Sequence, residues 1–309
     1  MKRIQYLNYL LLAASILWPS MSLAALNAPE CRPWQETAEK VAGFDSYKKG
    51  LLWKITRPGV KASYLFGTIH VADERITNLP PAVSGALNQS GVFAMEVIPE
   101  LGEMMSFASL MYFQDGRRLK DMVSPQLFSR VSALLQGYHI PGEAVAIMKP
   151  WAAFLTLSYP AEFGKVLDLQ LLEIAQGNGA QISGLETLLE QVGIFENLDM
   201  EKQLRLLADT TCHYDVMEAD FEKMKTLYLA RDLAGLYNYS QRNADPDDEL
   251  YNELMDKLLT RRNYSMAKRM KPILDKGDAF IAVGAMHLAG KEGLLNLLAG
   301  RGFRVTRVY

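Results

Sequence analysis

The sequence has few of the residues that mark many specialised sites. Of its 309 residues only two are cysteine and four are histidine. Neither Cys31 nor Cys212 lies in a context typical of a catalytic nucleophile, and no Cys-x-x-Cys-His segment is present, which excludes haem attachment of that type. The sequence also has no low-complexity tract and no solenoid repeat. Because histidine is so scarce, the positions of the four that remain are informative.

A marked excess of charge of either sign is also missing. The chain has 33 Lys and Arg against 35 Asp and Glu, a formal net charge of −2. Such a chain has no basic field for nucleic acid, so we expect no nucleic-acid partner. An apolar content of 49 % with 22 % charged residues is typical of a globular protein that buries a sizeable core.

Long apolar runs are absent except at the N-terminus. Lys2 and Arg3 precede an apolar stretch that ends in the small residues of Ser22-Leu23-Ala24, a pattern typical of a secretory signal peptide cleaved after Ala24. The stretch is short for a membrane span and contains Pro19. We therefore expect a signal peptide over residues 1–24 and no stable membrane anchor after cleavage; an uncleaved N-terminal anchor is the alternative.

Cleavage at this point would leave residues 25–309 as a single domain in the periplasm or outside the cell. In an oxidising compartment, Cys31 and Cys212 form one disulfide or stay as buried thiols; the sequence leaves both open.

Short apolar segments predict a sheet. Residues 51–67 read as a hairpin around the turn Arg57-Pro58-Gly59, and further strands are predicted at 91–97, 180–185, 279–284 and 303–308. The last two strands enclose an amphipathic helix, which predicts parallel neighbours in the sheet. Most of the remaining chain has helical periodicity; one helix is predicted to begin at Ser124 as N-cap, with Pro125 at its first position. The expected class is α/β or α+β, a central mixed sheet with a large helical insertion.

Two of the four histidines share one local context. The segments YLFGTIH (64–70) and FIAVGAMH (280–287) each run apolar to a Gly and place a His three residues later. A Gly where a strand ends permits a sharp turn or a close approach, and sites in open α/β sheets collect at the carboxyl ends of strands. If the two strands are neighbours, His70 and His287 face one cleft; otherwise each is a structural His near a turn. His139 reads as a loop residue and His213 as a helix-surface residue.

Three carboxylates and one arginine are further candidates for the site, because of their positions relative to the predicted strands and helices. Glu96 falls at the end of an otherwise apolar strand, where an ionisable group is costly unless it is paired or functional. Glu186 follows another apolar strand, although it would also suit the first turn of a helix. Asp73 follows His70 closely, and an inward-facing Arg262 would fit an anionic transition state.

These residues together resemble the TraB/GumN family, which is similar to the TIKI Wnt-cleaving proteases of animals. The resemblance runs from about Leu51 to Val308. It is carried by YLFGTIHVADERITNLP, AMEV, FGKVLDLQLLEIA, ISGLETLLEQ, RRNYSMA and FIAVGAMHLAGKEGLLNLLAGRGFRV. It implies a sheet with both Gly-x-x-His motifs facing one site, as in the wider group of erythromycin-esterase-like and haem-binding ChaN-like proteins.

The resemblance also implies site residues. By position the family's functional residues fall on His70, Glu96, Arg262 and His287, while Gly67 and Gly284 shape the loops that would receive a cofactor. Three further family-typical positions are Asp168, Glu186 and Asn263. The activity of TIKI proteins implies a metal-dependent peptidase, associated with manganese or cobalt.

The sequence therefore predicts a metal-dependent hydrolase acting on a peptide or protein. His70, His287 and Glu96 are the expected ligands of a divalent ion, manganese or cobalt or else zinc. Arg262 is expected to stabilise the oxyanion, and Glu186 or Asp73 to orient a His or act as general base.

Two alternatives stay open. One is a metal-free hydrolase in which His70 is the general base, assisted by Glu96 and Arg262. The other is a protein without turnover that binds haem, a metal or a peptide.

Overall fold

The computed structural model describes residues 47–161, 164–242 and 248–309. The expected signal peptide and Cys31 lie outside these ranges. The signal peptide and the pairing of Cys31 with Cys212 therefore stay predictions. Over the described ranges, no helix is both long and apolar enough to cross a membrane.

The centre of the fold is a six-stranded mixed sheet, as the sequence predicts. Its strands are β1 (Leu52–Thr56), β2 (Ser63–Thr68), β3 (Val92–Val97), β4 (Gln181–Glu186), β5 (Ala279–Gly284) and β6 (Arg304–Arg307). They lie in the order β4-β3-β5-β2-β1-β6. The pairs β3–β4, β3–β5 and β2–β5 are parallel, whereas β1 is antiparallel to both β2 and β6.

The expectation that β5 and β6 are neighbours is wrong. Both edges of β5 are occupied, by β2 and β3, and all six of its residues are buried. The chain instead passes β2 and β1, and β6 pairs with the free edge of β1, with Trp53 opposite Arg307. Arg304 and Arg307 are exposed, as charged residues on an edge strand usually are. The strand–helix–strand pattern indicated the direction of β6 correctly but not its neighbour.

Helices cover both faces of the sheet and fill the insertion. They are α1 (Glu74–Thr77), α2 (Pro81–Asn88), α3 (Leu101–Leu110), α4 (Pro125–Gln136), α5 (Gly142–Ala146), α6 (Pro150–Leu157), α7 (Leu167–Gly177), α8 (Leu188–Glu196), α9 (Met200–Leu229), α10 (Leu233–Ser240), α11 (Glu249–Met255), α12 (Arg262–Lys276) and α13 (Leu294–Gly300). The predicted cap of α4 is confirmed, because the Ser124 hydroxyl accepts the N–H of Leu127 at 3.2 Å.

Apolar periodicity alone predicts one continuous helix across α9 and α10 and another across α11 and α12. The structure interrupts both. Between α9 and α10 the backbone turns at Arg231, which has φ of 57°, and the Asp232 carboxylate then caps the new helix by accepting the N–H of Gly235. Between α11 and α12 lies a π-helical turn, Asp256–Arg261. Apolar periodicity does not register such local changes, because the buried face continues across them.

The sheet order gathers the candidate residues at one edge. Strands β2, β3, β4 and β5 all run in the same direction, so their carboxyl ends meet there. Thr68 lies opposite Gly284, and Val97 lies opposite Glu186. Open α/β sheets bind ligands at this edge, and the fold places the ends of both His-bearing strands side by side.

Candidate active site

His70 lies just beyond β2 and is held by Asp168. Its Nδ1 is 3.3 Å from Oδ2 of Asp168, while Oδ1 of the same carboxylate accepts the Thr68 hydroxyl at 2.7 Å. Asp168 is buried in the first turn of α7, where a carboxylate is stabilised by the helix dipole. The contact fixes the orientation of the imidazole and directs its Nε2 away from Asp168.

A buried ion cluster lies across the ends of β3 and β4. Arg262, the first residue of α12, donates from Nη2 to Glu96 Oε2 at 2.6 Å and to Glu186 Oε2 at 2.8 Å. Its Nε donates to both oxygens of Glu186, at 3.0 and 3.2 Å. Nη1 donates to the carbonyl of Leu258 at 3.3 Å. Each nitrogen of the guanidinium thus has a protein acceptor.

The remaining contacts of the cluster come from α8 and β5. The amide Nε2 of Gln191 donates to Glu96 at 3.2 Å and to Glu186 at 3.1 Å. The backbone N–H of Gly284 donates to Glu96 Oε1 at 2.7 Å. Glu96 is therefore tied to two helices and a neighbouring strand.

The π-helical turn before α12 sets the position of Arg262. A π turn contains one more residue than the α turn it replaces, which shifts the face that the following residues present, and such turns are common at functional sites. Arg262 is only 6 % exposed, whereas Arg261 beside it lies at the surface and binds Asp256 at 2.6 Å. The local irregularity thus accompanies one inward and one outward arginine.

The single positive charge of Arg262 does not neutralise the negative charges of both Glu96 and Glu186. Burial raises the pKa of Glu96 to about 7; Arg262 opposes this rise and the nearby charge of Glu186 adds to it. Although burial opposes a charge on Arg262, Glu96 and Glu186 together raise its pKa further above the usual value. The cluster favours one additional positive charge, such as a proton on Glu96.

His287 lies behind this cluster and is fully buried. It ends the short 3₁₀ helix Ala285–His287 that follows β5, and its Nδ1 is 2.7 Å from Oδ1 of Asn263. Its Nε2 is 3.7 Å from Glu96 Oε1 and has no hydrogen-bond partner within the described part of the chain. Burial, with a further contribution from the Arg262 charge, lowers the pKa of His287 well below its usual value. The imidazole is therefore neutral, with one ring nitrogen unsatisfied.

The two motif glycines have different structural roles. Gly67 lies inside β2, and a Cβ there would approach Leu288 Cδ1 to 2.7 Å and Ala285 Cα to 3.1 Å, so its small size lets the turn after β5 pack on β2. Gly284 ends β5 and supplies the N–H that binds Glu96. Gly67 therefore acts by close approach and Gly284 by hydrogen bonding, and a role of either glycine in receiving a cofactor stays a prediction.

A cavity opens next to His70. It encloses about 500 Å³, a volume that includes space open to solvent. Its lining is mainly apolar and aromatic, with Phe221, Met224 and Met286 among the lining side chains, and Thr68 and Tyr159 also contribute. Gly284 lies on its wall, which connects the cavity to the edge that holds Glu96. An apolar cleft with a few polar groups is the usual form of a small-ligand or side-chain site.

The predicted three-ligand metal set is assembled only in part. Across the described ranges, no three side chains of the His, Cys, Asp and Glu types are placed as ligands of one ion. His287 Nε2 and Glu96 Oε1 do fit one side of a cation site. One is a neutral, unsatisfied buried nitrogen, and the other belongs to a cluster that lacks one positive charge. His70 is paired with Asp168 instead.

Other expectations from the sequence have clear outcomes. Asp73 does not join the site: it caps α1 and binds Arg75 at the protein surface, which lowers the pKa of Asp73. Glu186 does not serve the helix that follows it, because Thr187 and Glu190 form the capping box of α8. His213 is buried in α9 rather than on the helix surface.

Sequence reasoning missed two side chains at this edge. Gln191 follows Glu186 by five residues, and only the fold reveals that its amide bridges both carboxylates. Tyr159 precedes Pro160 at the end of α6 and faces the cavity. No pattern in the sequence distinguishes it from the other tyrosines.

The chain has animal and bacterial relatives. It is 25 % identical to Metalloprotease TIKI1 of Danio rerio, over 82 % of this chain and 62 % of that protein. Metalloprotease TIKI2 of the same organism is 23 % identical, over 82 % and 60 % respectively. The uncharacterized protein YbaP of Shigella flexneri is 24 % identical over 79 % of this chain and 90 % of YbaP. The chain thus spans only about six tenths of the length of the TIKI relatives.

No solved structure matches the chain significantly. The sequence model of the TraB/PrgY/gumN family matches residues 51–307, which include every strand of the sheet and every residue of the ion cluster. By this match, as the motifs at the ends of β2, β3 and β5 indicate, the chain belongs to the TraB/PrgY/gumN family.

Proposed function

We propose that this protein is a metal-dependent hydrolase that cleaves a peptide or protein in the periplasm or outside the cell. The relatives named metalloproteases support the reaction class. The observation that carries the proposal is the buried pair of His287 Nε2 and Glu96 Oε1, 3.7 Å apart. This separation is too long for a direct hydrogen bond, so His287 Nε2 and Glu96 Oε1 would both be able to act as ligands of a divalent ion.

His287 and Glu96 are the residues that would hold a divalent ion. An ion bound there supplies a Lewis acid that polarises a carbonyl group and lowers the pKa of a bound water. Asn263 orients His287 through Nδ1, and such outer contacts keep a ligand imidazole in one orientation. Manganese or cobalt is the expected metal, with zinc as the alternative.

Glu96 also suits proton transfer. Without a bound ion, the Glu96 carboxyl group has a pKa of about 7 and would exchange a proton readily near neutral pH, as a general acid or base does. Arg262 and Gln191 hold this carboxyl group in place. Because four of the five N–H groups of Arg262 donate to protein oxygens, we assign Arg262 the positioning of Glu96 and Glu186 rather than contact with an oxyanion.

A second candidate keeps the reaction but not the metal. Asp168 orients His70 at the edge of the cavity, the arrangement expected of a general base that activates water. In this version His70 accepts the proton of the water, and the Glu96 cluster acts as structural support. The Asp168–His70 contact is the observation that favours it.

The test compares peptide hydrolysis, before and after treatment with a chelator and reloading with manganese, cobalt or zinc. The proposal expects hydrolysis that the chelator abolishes and one of the metals restores. His287→Ala should lose bound metal and activity together, whereas His139→Asn, at an exposed position with φ of 60°, should keep both. Activity that survives the chelator but is lost in His70→Ala would establish the metal-free candidate, and absence of any hydrolysis would contradict both.

A further inference from the structure

Tyr159 has a buried hydroxyl group that lacks a hydrogen-bond partner among the described residues. A hydroxyl that is desolvated and unpaired destabilises the folded state, so native structures seldom contain one without a reason. Other buried tyrosines here are paired: Tyr228 donates to the carbonyl of Gly67 at 2.8 Å, and Tyr251 donates to Gln241. The hydroxyls of Ser132 and Thr210 are also buried and unpaired, but among the buried tyrosines of the described residues only Tyr159 has an unpaired hydroxyl, and it lines the cavity.

The ring of Tyr159 is firmly positioned beside the site. Its centroid is 6.3 Å from that of His70 with the planes at 76°, and 5.9 Å from that of Phe221. All three residues line the cavity. The Tyr138 hydroxyl donates to the backbone carbonyl of Tyr159, and Pro160 prevents α6 from continuing. The phenol is thus fixed on the cavity wall, opposite an imidazole.

Burial, more than the charges of the site, keeps the hydroxyl of Tyr159 protonated. Burial, with a further contribution from the negative charge of Glu96, raises the pKa of Tyr159 above its usual value. A protonated phenol donates one hydrogen bond and accepts others. Tyr159 lines the cavity and its buried hydroxyl has no acceptor among the described residues, so an oxygen of a bound molecule that reaches this hydroxyl would supply the missing acceptor.

We propose that Tyr159 is a catalytic residue whose hydroxyl donates a hydrogen bond to the carbonyl oxygen of the scissile bond and to the oxyanion that replaces it. The inference rests on the proposed hydrolysis and adds the donor that Arg262 does not provide. The oxygen of water forms a bond to the carbonyl carbon, its proton passes to a base of the site, and the carbonyl π pair moves to the oxygen that Tyr159 binds. The C–N bond then breaks and the nitrogen takes a proton. Tyr159 keeps its own proton throughout.

The same geometry indicates the substrate class. The side chain next to the scissile bond would lie against Phe221, Met224 and Met286, so the structure favours an apolar side chain there. A charged side chain would be desolvated in this lining without a partner, which is strongly unfavourable. We therefore expect peptides with Leu, Met or Phe at this position to be preferred over those with Asp or Lys.

The test uses Tyr159→Phe, which removes one oxygen atom and keeps the ring. One measurement is hydrolysis of peptides that carry Leu or Asp beside the scissile bond. The second is the dissociation constant of a phosphonamidate peptide with flanking Leu residues, whose tetrahedral anion resembles the oxyanion. Tyr251→Phe is the matched control, because it removes a buried tyrosine hydroxyl that is paired with Gln241.

We expect Tyr159→Phe to lower kcat for the Leu peptide roughly 100-fold and to weaken phosphonamidate binding at least about 10-fold. Its thermal midpoint should equal or exceed that of the wild type, because no protein hydrogen bond is lost. Tyr251→Phe should show the reverse pattern, with a lower thermal midpoint and unchanged kcat.

The outcomes separate the two proposals. If His287→Ala loses hydrolysis while Tyr159→Phe retains kcat and phosphonamidate affinity, the role of Tyr159 is overturned and the hydrolase function stands. If the wild type binds the phosphonamidate, and binds it more tightly than Tyr159→Phe does, without hydrolysing any peptide, Tyr159 is a ligand-binding donor only, and the hydrolase function falls together with the catalytic role that rests on it. If the wild type does neither, both proposals are overturned.

Discussion

The carboxylate of Glu96 on β3 accepts the backbone N–H of Gly284, the last residue of β5, at 2.7 Å. The contact joins a side chain of β3 to the glycine of the second Gly-x-x-His motif, which ends the neighbouring strand β5. It explains why the second motif needs a particular backbone position at residue 284 as well as a histidine at residue 287.

Replacing Arg262 with Met should destabilise the protein strongly. Removal of one partner of a buried ion pair leaves charge uncompensated, which typically costs about 3–5 kcal/mol. Glu96 and Glu186 would both lose their cation. Chemical denaturation measures the free energy of unfolding. Arg269→Met, which breaks a half-exposed pair with Glu190, is the control and should cost about 1 kcal/mol or less. Equal losses in the two variants would contradict a central role for Arg262.

Replacing Glu96 with Gln should change how stability depends on pH. Because the pKa of Glu96 is raised to about 7 in the folded state, the folded protein binds more protons here than the unfolded chain does between about pH 4.5 and pH 7. This contribution is fully present below the unfolded pKa and is lost as the pH rises through 7. The free-energy difference between wild type and Glu96→Gln should therefore shift in favour of the wild type as the pH falls from 7 to 5.

His287 acts in the opposite direction, because its pKa is lowered. Its contribution is present above the unfolded value of about 6.5 and is lost as the pH falls below it. Both Glu96→Gln and the wild type retain His287, so the comparison between them cancels this term to first order. A difference in unfolding free energy that stays constant from pH 7 to pH 5 would show that Glu96 titrates normally.

Replacing Gly67 with Ala should force the turn after β5 away from β2. The added methyl group would lie 2.7 Å from Leu288 Cδ1 and 3.1 Å from Ala285 Cα, and overpacking of this kind costs about 1–3 kcal/mol. Gly85→Ala in α2 is the control: no atom lies within 4 Å of its Cβ position. Thermal unfolding should show a gain for Gly85→Ala, by about 0.5–1 kcal/mol, and a loss for Gly67→Ala. The same sign in both variants would argue against the close approach.

Replacing Asp168 with Asn should impair activity through His70. The amide keeps the size of the side chain but removes the negative charge that orients the imidazole, and changes to such supporting contacts typically cost about 10- to 100-fold. Steady-state kinetics should show the loss mainly in kcat. The control is Asp73→Asn, which alters a surface contact with Arg75 and should leave kcat unchanged. An unaffected Asp168→Asn enzyme would show that the Asp168 charge does not act on the reaction through His70.

Much of this site can be predicted from the sequence, because strand ends carry a readable signal. Apolar runs ending in Gly place Gly67 one residue before the end of β2 and Gly284 at the end of β5, and a lone acid in an apolar strand identifies Glu96. The sequence pattern does not indicate which side chains form hydrogen bonds or ion pairs with one another in the fold. The contact of Arg262 with two carboxylates depends on a π turn that leaves the apolar periodicity intact.

The neighbour of β6 could not be predicted for a related reason. The choice between pairing with β5 and pairing with β1 depends on which strand edges are already occupied, and the chain order does not state this. Tyr159 could not be predicted because the feature that distinguishes it is a hydroxyl without a hydrogen-bond partner, which only the folded structure reveals.

The place of β5 in the sheet also bears on the order in which the protein can fold. Strand β5 is formed by residues 279–284 but separates β3 from β2, so the chain up to α12 holds two unconnected pieces of sheet, β1–β2 and β3–β4. Until β5 is available, each piece exposes an unpaired apolar edge of the kind that invites aggregation. The late strand closes both edges at once and brings the N–H of Gly284 to Glu96. A chain that stops before residue 279 therefore lacks both a continuous sheet and a complete site, and its two unpaired strand edges would favour aggregation.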